Sequence, residues 1–140
     1  MAVEITGTYA GNLNVDLHHG PSGTSLRTAA PVDNQGDGSS FSPTDLVAAA
    51  LGSCMLTLMG ITAQREGIDL SGLRFRLEKH MRSDPRRIDR IPVEIVLPPG
   101  LDARQRQALE DAARGCPVCH SLLEAIDRPL HFVTEEVAVG

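Results

Sequence analysis

Two runs near the start of the chain alternate apolar with polar residues at the period of two expected of strands with one buried face. Val3, Ile5 and Tyr9 share a face against Glu4, Thr6 and Thr8. Leu13, Val15 and Leu17 alternate with Asn14, Asp16 and His18, and Ala10-Gly11 between the two runs predicts a hairpin. Gly7 interrupts the first apolar row and is the predicted site of a bulge. A third strand, Thr24 to Ala30, comes after the turn at Gly20-Pro21-Ser22-Gly23, and the polar stretch Asp33 to Ser40 is a flexible approach to a long apolar segment.

From Ser42 to Gln64 the pattern becomes helical and strongly apolar. Ser42 is a good N-cap, and Pro43 suits a first turn, where its missing N–H has no intrahelical partner. Leu46, Ala50 and Cys54 repeat every four residues while Val47, Leu51, Leu58 and Ile61 lie on the neighbouring rows, so this helix is expected to be buried on more than one side. Gly67 ends it. Beyond it Leu73, Phe75 and Leu77 alternate with Arg74, Arg76 and Glu78, and Ile91, Val93, Ile95 and Leu97 alternate with Pro92, Glu94, Val96 and Pro98, which predicts two more strands. The charged stretch Arg82 to Arg90 joins them. Asp102 with Gln105 forms a capping-box pattern that opens a second helix, closed by Gly115. Cys116-Pro117 starts a short third helix with Cys116 at the cap, and Leu130 to Val139 reads as a last strand. Segregated strands and helices predict an α+β fold, with antiparallel sheet covered by helices on one face.

At 140 residues and 15.0 kDa the chain, 1–140, is expected to be a single domain. A helix apolar all round points to an oligomer. Net charge of −5, with no basic block beyond Arg86-Arg87, excludes a nucleic-acid footprint. Thr44, Asp45, Ser53, Thr57 and Thr62 make the long apolar helix too polar for a membrane span, so it is expected in the core. The first residues have neither a basic end nor an apolar run, and a cytoplasmic location is expected. Three cysteines in that compartment indicate reactive thiols or metal before structural disulfides.

Cys54 reads equally as an inert core residue or a reactive thiol. Cys116 is different, because a cap position and the nearby Arg114 are expected to lower its pKa. Cys116-Pro117-Val118-Cys119-His120 also matches a redox pair, half of a zinc site and a haem-attachment motif. Haem fits poorly with three Phe and one Tyr, and zinc lacks a second close pair of ligands, so no metal or cofactor is expected. His120 has a plain reading as a surface residue, Arg27, Arg74 and Arg76 as solvated strand-face residues, and Asp45 as a partner of the helix dipole.

Ser42-Pro43-Thr44-Asp45-Leu46, Ala48-Ala49-Ala50-Leu51-Gly52-Ser53-Cys54, and Cys116-Pro117-Val118 with Ser121-Leu122, resemble the family of osmotically induced protein C and organic hydroperoxide resistance proteins. The resemblance covers nearly the whole chain. It implies an intertwined homodimer with its two long helices at the centre, and a stress-response peroxidase without a cofactor. It also implies that Cys54 is oxidised by an organic hydroperoxide to a sulfenic acid, that Cys116 resolves this to a disulfide, and that a small thiol or dithiol reduces the bond. A non-catalytic small-molecule binding module on the same fold is the alternative. The better studied members of the family hold an activating Arg with a Glu, where this chain has Thr44. Asp45 next to it, and Arg27, the one Arg before the long helix, are the corresponding candidates. Cys119 stands where many relatives have Ser and competes for the resolving role.

Overall fold

The computed structural model describes residues 1–134, and its contacts gather into two compact units, Met1–Val47 and a second that begins at Ala48. In the first, β1 (Ile5–Gly11), β2 (Asn14–His19) and β3 (Ser25–Ala29) form an antiparallel sheet in that order. The hairpin turns at Asn12-Leu13, both left-handed with φ of 54° and 62°, and not at Ala10-Gly11. This is the tight reversal whose twist matches paired strands. The Tyr9 hydroxyl accepts the Leu13 N–H at 3.2 Å, which helps Leu13 hold a conformation that side chains disfavour. The register slips between Tyr9 and Gly11, while the predicted bulge at Gly7 is absent. Gly7 pairs in register with Leu17, whose side chain fills the gap: a Cβ on Gly7 would lie 3.2 Å from Leu17 Cδ2. The polar approach to the long helix is tied to β3, with Ala29 N–H donating to Phe41 O at 3.0 Å and Ser40 Oγ to Arg27 O at 2.8 Å.

The helix α1 (Pro43–Glu66) starts as predicted. Ser42 Oγ accepts the Asp45 N–H at 3.1 Å, and an Asp45 carboxylate oxygen accepts the Ser42 N–H at 2.9 Å, a reciprocal cap.

In the second unit α1 continues, and β4 (Arg74–Leu77), β5 (His80–Arg82), β6 (Arg87–Arg90), β7 (Val93–Leu97), α2 (Ala103–Arg114), α3 (Pro117–Ser121) and β8 (Leu130–Thr134) come after it. β7 is central, antiparallel to β4 and parallel to β8. The parallel pair departs from the all-antiparallel expectation because α2 and α3 carry the chain back between β7 and β8, the crossover such pairing needs. β5 and β6 form a hairpin that starts just before the charged connector Arg82 to Arg90 and runs through it, and only Met81 and Ile88 betray an inner face. The predicted last strand is present through Thr134, and its remainder to Val139 lies outside the described residues.

The core of this unit joins Val93, Ile95 and Leu97 of β7 to Leu51, Met55 and Met59 of α1 and to Leu109 and Ala113 of α2. Each fully buried Leu, Ile or Met contributes about 1.5–3 kcal/mol over its exposed state. Gly52 lies in the same helical row, and a Cβ there would sit 2.6 Å from Phe75 Cε2, so α1 approaches the β4 side chain as only glycine allows. The buried row is therefore Ala48, Leu51, Gly52, Met55, Met59, Thr62 and Ala63. The side of α1 near Cys54 differs from the two-sided burial expected: Val47 and Ile61, seven residues either side of it, are 36% and 52% exposed.

Candidate active site: three thiols in one unit

Cys54 is set at mid-length on α1 by the capped start of that helix, with its thiol half-buried against the core. Cys116 arrives from the other direction. Gly115 ends α2, its N–H shared between Asp111 O and Ala112 O at 3.2 Å each, and Pro117 opens α3. Cys116 between them is extended and caps α3 as predicted, its Sγ accepting the Cys119 N–H at 3.4 Å. It is wholly buried, at 0% exposure, and Cys54 is a near neighbour that acts on its titration.

The electrostatics of Cys116 reverse the expectation of a lowered pKa. Burial, then the neighbouring Cys54, pushes the thiol up to about 11, against a smaller opposing pull from the Cys119 N–H. Charge on Cys54 adds to the rise. A five-residue helix has too few aligned peptides to offset the loss of water. Nor does Arg114 help, since its guanidinium stacks over the Phe132 ring, 5.4 Å from the centroid. At neutral pH Cys116 is thus a protonated thiol beside Cys54.

Cys54 and Cys116 are brought together, whereas Arg27 and Asp45 each bond elsewhere. Arg27 on β3 faces its cross-strand partner Asp16, with Nε to Oδ1 at 2.6 Å and Nη2 to Oδ2 at 2.9 Å. Both are exposed, and the guanidinium holds the Asp16 carboxyl below its ordinary pKa. Asp45 forms the cap with Ser42, and Thr44 Oγ1 lies 3.2 Å from Ser42 Oγ. His120 is exposed. Sequence reasoning missed Arg128: it is half-buried and donates from Nη1 to Cys119 O at 2.9 Å, clasping the end of α3. Its partner is nine residues away through a loop, a contact that no local pattern signals. Among the described residues no group of three or more His, Cys, Asp or Glu is arranged to hold a metal ion.

The fold is α+β, with one thiol on the long helix and a second nearby at a Cys-Pro cap. The chain belongs to the OsmC-like protein family, whose model matches residues 36–128. A Psychrobacter arcticus 273-4 protein named for osmotic stress induction and a detoxification response is 38% identical, over 91% of this chain and 93% of that one, with a TM-score of 0.87. An organic hydroperoxide resistance protein OsmC from Legionella pneumophila is 19% identical over 95% of this chain and 97% of its own, with a TM-score of 0.71. One from Elizabethkingia anophelis is 15% identical over 96% and 97%, with a TM-score of 0.72. These last two likenesses are of fold. Comparison with curated proteins finds no match.

Proposed function

We propose that the chain is a thiol-dependent peroxidase that reduces organic hydroperoxides in the cytoplasm. The thiolate of Cys54 attacks the terminal peroxide oxygen, the O–O bond breaks, and the alkoxide leaves as an alcohol. Cys54 becomes a sulfenic acid. Cys116 then attacks the Cys54 sulfur, the S–S bond forms, and hydroxyl leaves with the Cys116 proton as water. A small thiol or dithiol reduces the disulfide. The observation that carries this reading is the wholly buried Cys116 at the α3 cap with Cys54 as its neighbour, a protonated thiol on hand to resolve an oxidised one. Leu58, Val118 and Leu122, packed on the same core, favour alkyl over hydrogen peroxide substrates.

The working form is a homodimer. On the side of α1 near Cys54, Val47 and Ile61 stay exposed, and on one face of the β1–β3 sheet so do Ile5, Tyr9 and Leu26, at 63%, 64% and 46%. Such apolar rows are what a second copy would cover. Asp45 fixes the start of the Cys54 helix through its cap, and Arg27, weakly held by its exposed pair with Asp16, is the cation available to the thiolate.

The test is mass spectrometry of the reduced protein after one equivalent of cumene hydroperoxide. A Cys54–Cys116 bond is expected. Unchanged thiols would leave the second reading, a non-catalytic binding module, which the commitment of Arg27 to Asp16 favours.

A further inference from the structure

The peroxidase reading uses two thiols, and a third stands beside them. Cys119 is half-buried, three residues from Cys116, and its backbone N–H already touches the Cys116 sulfur at 3.4 Å. Its Cβ is two bonds from that nitrogen, about 2.5 Å away, so rotation about its Cα–Cβ bond suffices to carry its sulfur toward that of Cys116. Arg128 holds the Cys119 carbonyl at 2.9 Å, which keeps this backbone in place while the side chain turns.

Resting on the peroxidase reading, we propose that Cys119 is an exchange thiol, which moves the Cys54–Cys116 disulfide to Cys116–Cys119 and so frees Cys54 before any external reductant acts. The Cys119 thiolate attacks the Cys116 sulfur, the new S–S bond forms, and Cys54 leaves as a thiolate that takes up the proton Cys119 lost. No net oxidation occurs. A dithiol reductant then attacks the Cys119 sulfur, Cys116 departs, and the second thiol of the reductant closes on the first to release Cys119 and a cyclic disulfide.

Accessibility favours this route. Cys116 is closed to solvent, so only an internal thiol reaches its sulfur. Exchange leaves the disulfide on Cys116 and the half-buried Cys119, within one short helix.

The experiment quenches wild-type protein with acid at intervals after one equivalent of cumene hydroperoxide and maps disulfides by mass spectrometry. The expected result is a Cys54–Cys116 bond that gives way to Cys116–Cys119, and slower re-reduction by dithiothreitol in Cys119→Ser. A Cys54–Cys116 bond that persists alone, with equal re-reduction in both proteins, overturns the exchange and leaves the peroxidase reading standing. Absence of either bond, with Cys54 unoxidised, overturns both. A Cys54→Ser variant in a dithiothreitol redox buffer tests the pair without peroxide: it is expected to close Cys116–Cys119, and failure to close it at any poise refutes the exchange alone.

Discussion

Raising the pH above 9 should weaken the reduced protein through Cys116. Its folded pKa, near 11, lies above the ordinary 9.0, so between these values the folded state keeps a proton that the unfolded chain has lost. The stabilisation is complete below the unfolded value and is lost as pH rises through the folded one. Two units at about 1.4 kcal/mol each give on the order of 2–3 kcal/mol, with a slope of at most about 1.4 kcal/mol per pH unit for this single proton. Burial is the first cause and Cys54 the second, so Cys54→Ser should keep part of the slope while Cys116→Ser loses all of it. The assay is urea unfolding under reducing conditions from pH 7 to 11, each variant compared with wild type to cancel the titration of Lys and Tyr. Identical pH dependence in wild type and Cys116→Ser would refute the claim that burial holds this thiol protonated.

Three further outcomes are expected. Gly52→Ala, whose Cβ would meet the Phe75 ring at 2.6 Å, should cost roughly 1–3 kcal/mol in urea unfolding, with part recovered by adding Phe75→Leu; an unchanged midpoint would mean the helix and β4 shift apart freely. Arg27→Gln should leave the urea midpoint near wild type, since its pair with Asp16 is exposed, yet slow oxidation of Cys54 by hydroperoxide in stopped flow; an unchanged rate returns Arg27 to a surface role. Cys116→Ser keeps an N-cap acceptor and should fold, but repeated peroxide should drive Cys54 to sulfinic acid, seen as a gain of two oxygens by mass spectrometry, and a stable single-oxygen product would show that something other than Cys116 protects it.

Where local chemistry decides conformation, the sequence was legible. Ser42 and Asp45 cap α1, Asp102 and Gln105 form the box that opens α2, and Cys116 caps α3 before Pro117, each a contact within three residues. Alternation located β2, β4 and β7, whose inner and outer faces differ sharply. It failed for β5 and β6, where charge dominates both faces, and for the choice of helical row on α1, where nearly every position is apolar. In that second case Gly52 decides, because a missing side chain lets α1 settle against Phe75 and turns the Ala48–Met55–Met59 row inward, leaving Cys54 toward the edge. The same limit governs the thiol chemistry. The cap position of Cys116 could be read from Cys-Pro alone, but the sign of its pKa shift depends on burial in a core that includes β7 and α1, both distant in sequence. A cap exposed to water would have favoured a thiolate; a cap closed inside this core favours a thiol, which suits a residue that waits to resolve oxidation on Cys54 and not one that attacks peroxide itself.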